Sequence, residues 1–189
     1  PDDFDRAERI ILGSRSMETR IGSGFDVHSF EPGDHVWLGG VRIEHSHKLN
    51  GHSDSDVALH ALTDAIYGAV GAGDIGTHFP PSDMKWKDAA SSIFAAKAMD
   101  LLSTRGGVLA NVDITILAET PKISPYIPAM KAVLVPLLKI SEDRIAIKAT
   151  TTEKLGAIGR QEGMADFATA AVRLPMWRRL WTDRGCVGG

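Results

Sequence analysis

The chain has 189 residues, of which 43% are hydrophobic and 24% charged, and its formal net charge is -3. These values are typical of one globular domain and exclude an intrinsically disordered chain. They provide no basic field that would attract nucleic acid or an anionic membrane, so we expect neither as a partner. Cys186 is the single cysteine, which excludes an internal disulfide and a cysteine-based zinc cage and favours a reducing compartment such as the cytoplasm.

The patterns along the chain divide it into three parts. Residues 1–16 look like an amphipathic helix followed by a linker, and we interpret them as a tail or linker from a preceding domain. Residues 17–174 form the main domain, and residues 175–189 form a C-terminal tail. We find no internal repeat and no low-complexity segment.

The main domain mixes strand and helix patterns. In chain order we predict a strand at 20–28, a hairpin of 36–38 with 41–43, a polar loop at 45–53, helices at 53–70 and 89–105, a strand at 108–118, a helix at 124–138, and strands at 144–149 and 165–174. Ser53 is the predicted N-cap of the first of these helices. Because regular βαβ repeats are missing, the predicted fold class is α+β, with a small mixed four-stranded sheet, helices on one face and a short hairpin.

Three side chains suggest a metal site. Asp26 and His28 stand at i and i+2 of a predicted strand, so their side chains point to one face. His60 lies on the following predicted helix and could approach them from a second rigid element. One carboxylate and two imidazoles leave a fourth position open, which suits a catalytic zinc better than a structural one. The alternative is a surface Asp-His pair with an unrelated histidine, the commoner occurrence of such a pattern.

A second set of residues has side chains that could bind phosphate and a hard cation such as Mg²⁺. Thr150–Thr152 end a predicted strand and offer hydroxyl and backbone N–H donors, while Glu153 could bind Mg²⁺ together with substrate phosphates. An ordinary Thr-capped helix is the alternative. His52 lies at the mouth of the predicted helix at 53–70. Lys122 and Arg160 are single cations in loops, where such side chains are usually solvated.

Four motifs together resemble the 2-C-methyl-D-erythritol 2,4-cyclodiphosphate synthases of the non-mevalonate isoprenoid pathway. They are GFDVH at 24–28, HSDSDVALHALTD at 52–64, GDIG at 73–76 and KATTTEKLG at 148–156. The resemblance covers about residues 20–174 in the right order. It implies conversion of 4-diphosphocytidyl-2-C-methyl-D-erythritol 2-phosphate into the 2,4-cyclodiphosphate with release of CMP. The 2-phosphate attacks the β-phosphorus, so the protein needs no nucleophile of its own.

The resemblance also implies roles for individual residues. Zinc would be bound by Asp26, His28 and His60, and a second divalent ion, Mg²⁺ or Mn²⁺, by Glu153. His52 and Thr151 would stabilise the transition state. The implied substrate-binding residues are Asp26, Val27, His28, His52, Ser53, Asp74, Ile75, Gly76, Phe79, Asp83, Ala118, Lys122, Thr150, Thr151, Thr152, Glu153 and Arg160.

The resemblance further implies a homotrimer with active sites between adjacent subunits. A cavity on the trimer axis, with Phe25, Arg160 and Glu162 in its wall, would bind an isoprenoid phosphate. Bifunctional versions carry a cytidylyltransferase domain upstream, to which residues 1–16 would connect. The expected location is the bacterial cytoplasm, or a plastid-type organelle in a eukaryote.

Two rival functions remain open from the residues. A zinc phosphoester hydrolase would use the same ligands and an activated water, with His52 or Asp56 as general base. A non-catalytic trimeric protein would only bind isoprenoid phosphate. The chain also departs from the family pattern at Pro81, Ala157 and Gln161, which affects the expected substrate-loop and cavity contacts.

Overall fold

The computed structural model describes residues 17–80 and 82–176. The predicted linker at 1–16, the departure at Pro81 and the tail from residue 177 onward lie outside the described residues.

The described residues form seven strands and five helices, with short 3₁₀ turns between some of them. The strands are β1 (Met17–Pro32), β2 (His35–Leu38), β3 (Val41–Glu44), β4 (His47–Leu49), β5 (Val108–Leu117), β6 (Ile145–Thr150) and β7 (Gly163–Pro175). The helices are α1 (Val57–Val70), α2 (Ile75–His78), α3 (Ser92–Thr104), α4 (Ile127–Leu138) and α5 (Gly156–Gly159). No helix in the described part of the chain is long and apolar enough to cross a membrane.

The main sheet has five strands in the order β4-β1-β7-β5-β6, and β2 pairs with β3 in a separate hairpin. β5 and β6 are parallel and the other neighbours are antiparallel, which confirms a mixed sheet and the α+β class. The predicted count of four strands is wrong. The polar composition predicts a loop at His47–Leu49, but this segment pairs with Phe30–Pro32 at the far end of β1. This short strand depends on a partner distant in sequence rather than on its own composition.

The start of α1 also differs from the prediction. Its N-cap is Asp56, whose side chain accepts a hydrogen bond from the backbone N–H of Leu59, so the assignment of Ser53 as the cap is wrong. Both residues are favourable caps by type, and only the tertiary contacts of Asp56 decide between them. The helix ends at Gly71 in a left-handed conformation with φ 65°, which is a common glycine C-cap.

Helix α1 packs unusually close to β1. A Cβ atom at Gly24 would lie 2.0 Å from the carbonyl oxygen of Ala61, and one at Gly22 would lie 2.0 Å from that of Ala65. The absence of side chains at these two positions therefore lets the helix backbone rest directly on the strand. This contact places His60, the neighbour of Ala61, above the inward-facing residues of β1.

The opposite face of the sheet is open. In β1 the even positions Gly22 and Gly24 face α1, while Ile21 and Phe25 are 70% and 59% exposed. Val27 and Phe167, the latter paired with Phe25 across β1 and β7, are exposed as well. The described residues thus leave a row of large apolar side chains on one sheet face.

Candidate active site

Three ligand atoms converge between β1 and α1. Nδ1 of His60 lies 2.9 Å and Nε2 of His28 lies 3.0 Å from Oδ2 of Asp26, and the two ring nitrogens are 3.2 Å apart. A tetrahedral zinc with bonds of about 2.0–2.1 Å separates its ligands by roughly 3.4 Å. The three atoms therefore fit such an ion after shifts of a few tenths of an ångström, and they lie in the arrangement expected from the spacing.

Hydrogen bonds orient both imidazoles toward this point. Nδ1 of His28 donates to the carbonyl oxygen of Asn50 over 2.6 Å, so the lone pair of the neutral ring lies on Nε2. Nε2 of His60 faces the hydroxyls of Ser53 at 3.0 Å and Ser91 at 2.9 Å. In the metal-free site Nδ1 of His60 is hydrogen-bonded to Asp26, and a proton on Nε2 held by the serine hydroxyls would leave the Nδ1 lone pair for a cation. Such partners on the outer nitrogens are a common feature of metal-binding histidines.

Ser91 and Asp54 support His60 from behind, and neither was predicted as a site residue. Ser91 is fully buried, and Asp54 accepts hydrogen bonds from its backbone N–H at 3.1 Å and from its hydroxyl. Ser91 precedes α3 as its N-cap but makes no side-chain cap hydrogen bond. Its hydroxyl is thus directed to the histidine, a role that the sequence does not distinguish from ordinary capping.

The charges within the ligand set are complementary. Burial by itself would raise the pKa of Asp26, but the hydrogen bonds and positive charge of His28 and His60 hold that pKa well below its ordinary value. Burial would lower the pKa of His28, whereas its contacts with Asp26 and the Asn50 carbonyl raise it above the ordinary value. The metal-free site therefore retains a proton that a divalent cation would replace on binding.

Asp56 and Asp166 are buried carboxyl groups beside this set. Oδ1 of Asp56 accepts hydrogen bonds from the backbone N–H groups of Gly39 at 2.9 Å and Leu59 at 3.0 Å, and Oδ2 accepts from Gly40 at 2.6 Å. Asp56 is fully buried and joins the β2–β3 turn to the start of α1, so it is not placed to act as the general base of a hydrolase.

Asp166 lies on β7 opposite Asp26 on β1 and is fully buried. Neither of its carboxylate oxygens has a hydrogen-bond partner among the described residues. Burial, with added repulsion from Asp56 and Asp26, raises the pKa of Asp166 to about 8. The sequence analysis did not identify Asp166. Its spacing of two residues from Ala168 places both on the buried face of β7, and an acidic residue on a buried strand face could have pointed to it.

A cavity of about 210 Å³ adjoins His28 and His60. Phe79 forms part of its wall and contacts two other aromatic rings there, Phe94 at 4.6 Å and Trp86 at 4.8 Å between centroids. The predicted substrate residues that line it are His28, His52, Ser53, Ile75, Gly76, Phe79 and Asp83, and the lining residues that the sequence did not identify are Gly51, Met84, Trp86, Lys87 and Phe94.

Two predicted residues near the cavity are directed elsewhere. Asp74 caps α2, where its Oδ1 accepts hydrogen bonds of 2.7 Å from both the backbone N–H and the hydroxyl of Thr77. The side chain of Val27 is exposed on the open face of the sheet, since it alternates with Asp26 and His28. Its backbone N–H donates to Oδ1 of Asp26 over 2.9 Å.

Apart from Arg160, the remaining predicted residues form a second group at the ends of β5 and β6. β6 is three strands away from β1, which corresponds to roughly 14 Å at the usual strand spacing. There the hydroxyl of Thr151 donates to Oε1 of Glu153 over 3.0 Å. The members of this group are Ala118, Lys122, Thr150, Thr151, Thr152 and Glu153, and none of them lines the cavity. Arg160 belongs to neither group: it lies between α5 and β7, pairs with Glu162 at 2.6 Å, and is close to the end of β1, where the Glu162 carbonyl accepts from the backbone N–H of Phe30 over 2.8 Å.

Comparisons with known proteins identify the family. Residues 19–173 match the model of the YgbB family. The 2-C-methyl-D-erythritol 2,4-cyclodiphosphate synthase of Cereibacter sphaeroides is 59% identical over 156 residues, which are 82% of this chain and 98% of that protein. The bifunctional enzyme IspD/IspF of Brucella suis is 60% identical over 175 residues, which are 92% of this chain and 45% of that protein.

A solved structure of IspF from Plasmodium falciparum in complex with CDP superimposes with a TM-score of 0.72 at 36% identity. The superposition covers 83% of this chain and 96% of that one. Sequence and fold therefore agree along nearly the whole main domain. The chain belongs to the YgbB family, together with the 2-C-methyl-D-erythritol 2,4-cyclodiphosphate synthases.

Proposed function

We propose that the protein forms 2-C-methyl-D-erythritol 2,4-cyclodiphosphate from 4-diphosphocytidyl-2-C-methyl-D-erythritol 2-phosphate and releases CMP, as a step of non-mevalonate isoprenoid synthesis. One observation carries the proposal: a zinc-compatible set of one carboxylate and two imidazoles borders a cavity of about 210 Å³. It occurs in a chain 59% identical to a curated synthase over 98% of that enzyme.

The reaction is an intramolecular displacement. An oxygen of the 2-phosphate forms a bond to the β-phosphorus, the bond from that phosphorus to the CMP oxygen breaks, and CMP leaves with the electron pair. Such a step depends on in-line positioning and on neutralisation of phosphate charge. His52 and Ser53 line the cavity next to the ligand set, where they would hold phosphate oxygens, while Phe79 and Phe94 shield the methylerythritol part from water.

The proposed cofactors are Zn²⁺ at Asp26, His28 and His60, and Mg²⁺ or Mn²⁺ at Glu153. When bound, the cations supply Lewis-acid charge to the diphosphate. The imidazole nitrogens suit zinc, and the exposed carboxylate of Glu153 is the hard oxygen ligand that Mg²⁺ uses together with substrate phosphates. Thr151 donates to this carboxylate, and its single hydroxyl proton would turn to a substrate phosphate oxygen when a cation is bound at Glu153.

A homotrimer would bring the two groups of site residues together. Within one chain the Glu153 loop and Asp26 stand on strands three positions apart, so a complete site requires the β5–β6 end of a neighbouring subunit. The exposed apolar row on the open sheet face, with Ile21 and Phe25, provides a surface for that association. We also propose that Phe25, Arg160 and Glu162 border an axial cavity for an isoprenoid phosphate.

A fused cytidylyltransferase domain is the proposed upstream partner, and the bacterial cytoplasm is the proposed location. The alignment with the bifunctional Brucella enzyme extends over 175 residues, compared with 156 for the single synthase of Cereibacter. The additional aligned length supports descent from a bifunctional protein.

Phosphorus NMR of the purified protein with substrate, Zn²⁺ and Mg²⁺ tests the reaction. Cyclic diphosphate with equimolar CMP supports the synthase, linear phosphate products support the hydrolase, and unchanged substrate supports a binding protein. The variant His60→Ala is expected to lose turnover by at least a hundredfold. His47→Ala, an exposed histidine outside the cavity, is the matched control and should behave like the parent.

A further inference from the structure

The loop that follows β6 adopts a backbone conformation that needs outside support. Glu153 and Lys154 are consecutive non-glycine residues in the left-handed region, with φ of 51° and 63°. Residues other than glycine avoid this region because Cβ approaches the carbonyl oxygen, and they persist there only when their surroundings hold them. The same loop carries Thr151 and Glu153, so its conformation decides where their side chains point.

One carboxylate oxygen supports this loop from the neighbouring strand end. Oε1 of Glu119 accepts hydrogen bonds from the backbone N–H of Thr152 at 3.2 Å and of Lys154 at 3.1 Å. The hydroxyl of Thr152 lies 3.5 Å from the same oxygen. The two N–H groups flank Glu153 on both sides, so one acceptor oxygen holds the backbone before and after this residue.

Glu119 also connects two segments that are distant in sequence. It lies two residues after the end of β5, next to Ala118, whose backbone N–H donates to the carbonyl oxygen of Thr150 over 3.0 Å. The side chain of Glu119 is partly buried and is directed to backbone N–H groups rather than to the cavity. It joins the segment that begins at Ala118 to the Thr-Thr-Thr-Glu loop.

We propose that Glu119 is a positioning residue that holds Thr151 and Glu153 in place for the cytidine diphosphate part of the substrate and its divalent cation. The inference rests on the proposed function and adds a residue to it. A glutamine at this position keeps an acceptor oxygen for the two N–H groups and removes the charge. An alanine removes both.

The test compares Glu119→Gln and Glu119→Ala in the full chain, with Glu44→Ala as an exposed acidic control. Affinity for CDP with Mn²⁺ is measured by calorimetry, and exchange of the Thr152 and Lys154 amide hydrogens is measured by NMR. We expect Glu119→Ala to weaken CDP binding tenfold or more and to increase the exchange rate of both amide hydrogens at least tenfold. Glu119→Gln should stay within threefold of the parent in both, and Glu44→Ala within twofold.

Two results overturn the proposal: Glu119→Ala binding CDP like the parent with unchanged amide exchange, or Glu119→Gln being as impaired as Glu119→Ala. If Glu119→Ala does not fold, Glu119→Asp replaces it. Its shorter side chain should also weaken CDP binding and speed up amide exchange, but by smaller factors. A parent protein that neither binds CDP nor turns over substrate refutes the proposed function instead. Amide exchange, which needs no ligand, then still decides whether Glu119 holds the loop.

Discussion

The substitution Gly24→Ala tests how the close packing of α1 on β1 builds the candidate metal site. The added Cβ would stand 2.0 Å from the carbonyl oxygen of Ala61, whereas ordinary van der Waals contact begins at 3.4 Å. The obstructing atom belongs to a helix backbone and cannot rotate away. The helix must therefore retreat locally by more than an ångström. Overpacking of this kind typically costs about 1–3 kcal/mol, and we expect a loss of free energy of unfolding of about 3 kcal/mol.

The displacement should also reach the ligand set. His60 is adjacent to Ala61 in the same helix, and its Nδ1 lies 2.9 Å from Oδ2 of Asp26. Metal–ligand distances tolerate only about 0.2 Å, so a shift of this size should weaken zinc binding, by roughly tenfold or more. The control is Gly68→Ala, because a Cβ there meets Cα of Gly22 at an ordinary 3.7 Å. Replacing a glycine inside a helix with alanine should stabilise the fold by up to about 1 kcal/mol.

Urea denaturation of the metal-free proteins and zinc competition with a chromophoric chelator measure the two effects. Both variants lose the same glycine entropy in the unfolded state, so the difference between them reports packing. Equal stability of Gly24→Ala and Gly68→Ala would refute the steric reasoning. A destabilised Gly24→Ala with parental zinc affinity would show that the helix position does not control the ligand set.

Three further predictions concern charge and assembly. Because the folded-state pKa of Asp166 is about 8, above its ordinary 3.8, the native state retains a proton there and its stability should fall as pH rises from about 4 to 8. In metal-free protein at pH 8, Asp166→Asn should therefore raise the free energy of unfolding by up to about 5 kcal/mol and flatten this pH dependence in urea titrations; an unchanged slope would contradict it. Since the pKa of His28 is raised, protons should compete with zinc, and chelator competition should show at least tenfold weaker binding at pH 5.5 than at pH 7.5. Phe25→Asp should convert a trimer into monomers in sedimentation experiments, and a parent protein that is itself monomeric would refute the proposed assembly.

Local patterns predicted much of the fold. The strand alternation of β5, the β2–β3 hairpin around Gly39-Gly40 and the glycine end of α1 all follow from rules that act within a few residues, and the structure confirms them. The errors lie where a distant partner decides. β4 forms only because the far end of β1 offers it a pairing edge. Asp56 caps α1 because the turn at Gly39 and Gly40 presents two N–H groups to its carboxylate.

The sequence by itself placed Asp26 and His28 on a common face, since their i, i+2 spacing dictates this on any strand. It could not determine how close His60 would come, because that depends on the bare backbone of Gly24 under α1. Only the tertiary structure showed that Ser91 supports His60 and that Asp166 is buried opposite Asp26. Only the strand order, in turn, separated Glu153 from the proposed zinc ligands, because neighbours in a sheet are set by long-range pairing rather than by spacing along the chain.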